Sequence, residues 1–159
     1  MKASFIEQHD GPEVIQFGDQ PEPITGPGQI KLRVRSAAVN RLDLYRRAGV
    51  LDQRKTFPLA HILGGYCSGE IAEVGKGIGN GLIRQRVLVN PLIDNLYHHR
   101  IRPNNKPRSQ FIGSDLQSSY AEYAVVKEEN AHIIGKNISF EEAASIPAVF
   151  FASLELAIP

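Results

Sequence analysis

The alternation of apolar and polar positions is sharpest at Ile30-Lys31-Leu32-Arg33-Val34-Arg35, where aliphatic and cationic residues trade places at every step. Period 2 marks a strand with one face on a core and the other in water, so this run predicts a strand that sends three charges into solvent. Shorter apolar runs predict strands at Lys2 to Ile6, Val14 to Phe17, Ser68 to Val74, Arg86 to Asn90, Ala121 to Val126 and His132 to Ile134. The chain has 14 glycines and 10 prolines, and they break it between these runs as in an all-β domain of short strands. One glycine cluster, Gly75 to Gly81, invites a phosphate-loop reading. Its third glycine is out of step, since position 80 is Asn80, and a strand follows it where that motif needs a helix. It predicts a plain turn.

Two segments change period. Asn40 is a good N-cap, Asp43 stands one turn on, and Arg46 and Arg47 come just before Gly49, so Asn40 to Ala48 predicts one short helix. Ser139 and Glu142 have capping-box spacing and open a second helical segment. Pro147 predicts the first turn of a further helix, and Ala148 to Ile158 is apolar nearly all round, a helix that must be covered on more than one side. Between Pro91 and Ser119 the periodicity fades. The stretch Tyr97 to Gln110 carries Arg100, Arg102, Lys106 and Arg108 with no acid, and predicts a protruding lobe.

Composition narrows the class. The chain has 159 residues, 42% of them hydrophobic, and a formal charge of +1, which gives no electrostatic reason to expect nucleic acid or a membrane surface as partner. No apolar run approaches the ~20 residues of a membrane span, and the start MKASFIEQHDG lacks the apolar core of a secretory signal, so the expectation is a soluble cytoplasmic protein. A single cysteine, Cys67, excludes an internal disulfide and reads as a buried spectator. Of His9, His61, His98, His99 and His132 only one pair is adjacent, so they read as separate side chains and not as a zinc site. The patch Val39 to Tyr45 reads first as a helix start. From the residues alone the chain is a mostly β domain with no self-evident catalytic centre.

The order of segments adds more. Ala37 to Gly49, with Asn40, Asp43 and Arg47, resembles the stretch that opens the catalytic helix of medium-chain dehydrogenase/reductases, above all the quinone-oxidoreductase branch. Phe57-Pro58 with Leu63 to Gly75 resembles that superfamily's G-H-E segment, and Gln85 to Pro91 resembles its G-D-R-V strand. Ser119-Tyr120-Ala121-Glu122-Tyr123 is similar to G-x-Y-A-E-Y, and Ser139 to Pro147 to the S-x-E-E-A-A-x-x-P that leads into the cofactor domain. Five motifs in order cover essentially the whole chain.

The resemblance implies a mainly β protein with a few helices, a GroES-like partly open β-barrel. It assigns 1–138 to the catalytic domain, with the lobe at about 91–119, and 139–159 to the helical segment leading to a Rossmann domain that this sequence lacks. Zinc-dependent members have a Cys where this chain has Asn40 and a His where it has Gly65, and no ligand stands near Pro147, so no zinc is expected. The zinc-free branch implies NADPH, whose main site lies on the absent domain, with a quinone, enone or carbonyl as hydride acceptor. By position, Asn40, Asp43 and Tyr45 are the catalytic candidates; Asn40, Tyr66 and Pro147 are the cofactor-facing ones. The expected unit is the catalytic domain of an oxidoreductase, inactive or weakly active alone. The alternative is a non-enzymatic GroES-like module that binds or dimerises through its apolar C-terminal helix.

Overall fold

The computed structural model describes residues 1–50, 56–93, 112 and 118–147. The lobe residues from 94 to 111, with His98 and His99, and the apolar run after 147 lie outside these. Strands β1 (Lys2–Gln8), β2 (Gln16–Asp19) and β4 (Thr56–Ile62) form one sheet in the order β2-β1-β4. Strands β3 (Gln29–Ala38), β5 (Tyr66–Val74), β6 (Arg86–Val89), β7 (Tyr123–Lys127) and β8 (Ala131–Ile133) form the other, ordered β7-β3-β5-β6-β8. All strand pairs are antiparallel.

Both sheets are open, and the segment before β7 stitches them together. Ser4 N–H donates to the Tyr120 carbonyl at 2.7 Å and Glu122 N–H to the Lys2 carbonyl at 3.1 Å, both on β1, while Val34 N–H of β3 donates to the Glu122 carbonyl at 2.9 Å. Ala3 and Ala121 add a bridge. This is the expected partly open barrel. Its main core lies on the larger sheet, where Ile30, Leu32, Cys67, Ile71, Val87, Val89, Ile112 and Val126 pack together.

β3 departs from its prediction on one face. Ile30 and Leu32 are fully buried as expected, but Lys31 is only 9% exposed. Its ammonium sits between Glu73 at 2.8 Å and Glu22 at 3.0 Å. The cross-strand neighbour Glu73 and the loop before β3 cover it, so the alternation of the sequence marks charge and not exposure. The second strand is also displaced, because Pro12–Val14 forms a 3-10 turn and the strand begins at Gln16. β4 was hidden in the sequence by Pro58; it sits at a sheet edge, where a proline costs no ladder bond. The Gly75–Gly81 cluster is a turn between β5 and β6, as read.

Two helices are described. α1 (Arg41–Arg47) follows β3, and Gly49 behind it takes φ +74, the left-handed conformation in which a glycine ends a helix. α2 covers 140–147. Ser139 and Glu142 close a reciprocal cap at 2.7 and 3.1 Å. Ser68 Oγ donates to the Phe140 carbonyl at 2.5 Å, Arg86 donates to the Ile138 carbonyl at 2.6 Å, and Ala143 packs with Leu88 and Ile134. Pro147 is still helical in α2, so the chain does not break before it.

Candidate functional site

The C-terminal end of β3 and the first residue of β5 lie side by side, with Ala38 opposite Tyr66. This brings Asn40, which starts α1, to the same end of the larger sheet as Tyr66. Asn40 Oδ1 accepts from Leu42 N–H at 3.0 Å, and Asp43 Oδ2 accepts from Asn40 N–H at 2.8 Å. The reciprocal box fixes the helix start, as the spacing predicted. It also fixes the Asn40 amide: with Oδ1 committed to the cap, the two N–H bonds of Nδ2 are available to an oxygen outside the helix.

Asp43 is more than a cap. It is 4% exposed, and the Tyr120 hydroxyl donates to its Oδ2 at 3.0 Å. Burial and the Asp43 carboxylate push the Tyr120 pKa well up, because ionising the phenol would desolvate one anion beside another. Tyr66, also buried, is raised for the same reasons in the same order, with Arg46 opposing. Both phenols are therefore neutral O–H groups across the physiological range.

Gly64 makes room for this arrangement. Its φ is +99, and a Cβ there would stand 2.6 Å from a Tyr120 ring carbon and 2.8 Å from Ser119 Oγ. The Gly64 carbonyl accepts from Ser119 Oγ at 2.9 Å and from the Ser118 hydroxyl. Cys67, two residues past Gly65, is 1% exposed and its thiol is pushed up to about 12 by burial, only partly offset by a hydrogen bond with Ser119. It is the buried spectator expected.

Of the residues singled out from sequence, the structure brings Asn40, Asp43 and Tyr66 to one end of the sheet. Tyr45 is elsewhere: it is 38% exposed, with the Arg41 guanidinium 5.9 Å above its ring. Pro147 lies at the end of α2 and is buried. Sequence reasoning missed Tyr120 as a partner of Asp43, although it stands inside the quoted Ser119 to Tyr123 motif. It also missed that Arg46 is buried; the three-residue spacing from Asp43, which puts both on one helix face, was the available signal.

Zinc does not fit this donor set. Asn40 offers an amide already spent on its cap, Gly65 offers nothing, and the Cys67 thiol is far from a thiolate at neutral pH. Among the described residues no three His, Cys, Asp or Glu side chains converge on a metal position. Nor is any described helix long and apolar enough to cross a membrane.

Comparison with known proteins agrees with the fold. The model of the alcohol dehydrogenase GroES-like domain matches residues 26–136. The chain is 29% identical over 150 residues to the alcohol dehydrogenase of Geobacillus stearothermophilus, across 92% of this chain and 43% of that protein. It is 23% identical over 155 residues to the quinone oxidoreductase of Lama guanicoe, across 96% of this chain and 39% of that one. The crystal structure of an NAD-dependent alcohol dehydrogenase superposes with a TM-score of 0.80 at 37% identity, over 92% of this chain and 43% of the other. The chain thus spans less than half the length of each of these relatives.

Proposed function

The chain belongs to the family of alcohol dehydrogenase GroES-like domains, and on that premise we propose that it is the substrate-facing domain of a zinc-free NAD(P)H-dependent oxidoreductase acting on a quinone, enone or carbonyl. The observation that carries the reading is the Asn40 amide, pinned by its cap with both N–H bonds uncommitted, where zinc-dependent relatives would place a metal ligand. A nicotinamide, when bound, supplies the hydride. The acceptor then gains a hydride at carbon and a proton at oxygen. Asn40 can polarise that oxygen through its N–H bonds, which act on developing charge as a fixed dipole. Asp43, held by Tyr120 and the Asn40 N–H, keeps the amide in place. Tyr66, neutral and buried nearby, is the O–H group suited to return the proton.

The test is NADPH oxidation by the full chain with 9,10-phenanthrenequinone, with and without a chelator. Weak, saturable, chelator-insensitive turnover is expected. Asn40→Asp keeps a cap oxygen and deletes the N–H donors, and should lower kcat/KM by roughly 10²-fold. No turnover and no NADPH binding in the folded chain would overturn the enzymatic reading in favour of a binding or dimerisation module.

A further inference from the structure

The turn between β5 and β6 plays no part in the candidate site, and it carries the chain's single Asn-Gly pair, Asn80-Gly81. Asn80 opens one 3-10 turn (Asn80–Leu82), and both residues of the pair are exposed. Leu82 N–H donates to the Gly79 carbonyl at 3.2 Å and Ile83 N–H to the Asn80 carbonyl at 3.1 Å. Such bonds, few and open to water, break easily. The Gly81 N–H itself has no acceptor among the described residues, and a Cβ built at Gly81 meets nothing within 4 Å. Nor does a hydrogen bond hold the Asn80 side chain among the described residues. From Gly75 to Gln85 the charged residues are Lys76 and Arg84, with no acid.

We propose that Asn80 is a site of spontaneous covalent modification, converted by its own backbone to aspartate and isoaspartate. The Gly81 nitrogen gives up its proton and bonds to Asn80 Cγ, the Cγ–Nδ2 bond breaks, and Nδ2 leaves with a proton as ammonia. Water then opens the cyclic imide at either of its carbonyls, which restores the N–H and leaves a carboxylate. Nothing is oxidised or reduced. The turn favours each part of this step. Glycine lets the backbone swing into the attacking geometry at little cost. A nitrogen without an acceptor can lose its proton without breaking a bond, and a turn with two cations and no acid favours the anion that forms. Other asparagines lack this setting. Asn40 Oδ1 is committed to Leu42 N–H, Asn90 precedes Pro91, which has no N–H, and Asn130 is buried with Nδ2 on the Asn90 and Leu92 carbonyls. Asn95, Asn104, Asn105 and Asn137 are each followed by a residue whose side chain crowds the attack. The product stays local, because Arg84 N–H donates to the Ile71 carbonyl at 2.8 Å and Ile71 N–H to the Gln85 carbonyl at 3.0 Å, tying the far side of the turn to β5. The new carboxylate offsets one of the turn's two cations. The inference does not depend on hydride transfer.

The experiment is incubation of the full folded chain in mildly alkaline buffer, followed over time by peptide mass mapping and by methylation with an isoaspartyl carboxyl methyltransferase. Asn80 should convert roughly tenfold faster than any other asparagine and yield both products. Gly81→Ala, which the open space at that position accommodates, should slow the conversion about tenfold without lowering the urea midpoint. Asn80→Asp, which carries the new charge, should unfold at the wild-type midpoint. Conversion of Asn80 no faster than the other asparagines, conversion only in denaturing urea, or an unchanged rate in Gly81→Ala would overturn the proposal. A lowered midpoint in Asn80→Asp would overturn its confinement to the turn.

Discussion

Tyr120→Phe deletes one oxygen and leaves the ring in place. The lost hydroxyl is a donor to Asp43 Oδ2 at 3.0 Å, and among the described residues the other bond to that oxygen is from the Asn40 N–H at 2.8 Å. Asp43 is buried and its Oδ1 has no hydrogen-bond partner among the described residues, so the carboxylate would keep one of its two hydrogen bonds there. Hydrogen bonds to charged groups contribute about 1.5–3 kcal/mol, and removing one partner at a buried site should cost that range. Urea unfolding measures it: the midpoint should fall with the slope unchanged. Tyr123→Phe, on β7, should stay within about 0.5 kcal/mol of wild type. In an Asp43→Asn background the Tyr120→Phe loss should shrink, since the charge that strengthened the bond is gone. The alkaline limb gives a second readout. Folding raises the Tyr120 pKa above its ordinary value of 10.0. The unfolded chain therefore loses this proton first, near pH ~10. Stability from this group is level below that pH and declines as pH rises above it. Tyr120→Phe should flatten that decline. A variant within about 0.5 kcal/mol of wild type and with the same alkaline slope would refute the reasoning.

Further outcomes follow from the same geometry. Gly64→Ala adds a Cβ 2.6 Å from the Tyr120 ring at φ +99 and should cost more than about 2 kcal/mol in urea unfolding; a loss under about 1 kcal/mol would contradict the packing. The Cys67 thiol, pushed up to about 12, should react with Ellman's reagent at pH ~8 only as fast as the chain unfolds, and prompt labelling of the folded chain would count against its burial. Purified protein should contain no stoichiometric zinc by mass spectrometry; one zinc per chain would mean that a donor set other than Asn40 and Gly65 is in use. The apolar run Ala148 to Ile158 needs a cover, so light scattering should give the mass of two chains, and a clean monomer would reject that expectation.

Local rules made some of this legible in the sequence. The cap at Asn40 and Asp43, the box at Ser139 and Glu142, and the turn from Gly75 to Gly81 each depend on a few neighbouring residues, so spacing alone located them. Long-range pairing was not legible. Lys31 reads as a solvent charge until Glu73, its neighbour across the sheet, and Glu22 close over it. Tyr120 reads as one aromatic in a strand-like run, and its role appears only when the seam between the sheets carries it to an acid 77 positions earlier. Tyr45, named by its position in the resembling motif, shares a helix with Asp43 but is partly exposed where Asp43 is buried, a difference that position in a motif does not carry.

That opposition is the most informative feature of α1. A surface helix ordinarily turns its aliphatic residues inward and its charges outward. Here Asp43 and Arg46 are buried, while Leu44 and Tyr45 on the helix, and Val39 and Val50 beside it, are exposed. Burying a carboxylate costs several kcal/mol unless it is hydrogen-bonded, so an inward Asp43 is tolerable only because Tyr120 and the Asn40 N–H receive it. A helix meant only to fill the barrel mouth would be more stable with Leu at position 43. The polar network and the exposed apolar residues follow from one placement, since turning Asp43 and Arg46 inward leaves Leu44 and Tyr45 toward solvent. Substituting Asp43 by Leu should then gain more stability where Tyr120 is also replaced by Phe, because the phenol would otherwise keep only the Ala38 carbonyl at 3.5 Å as an acceptor among the described residues.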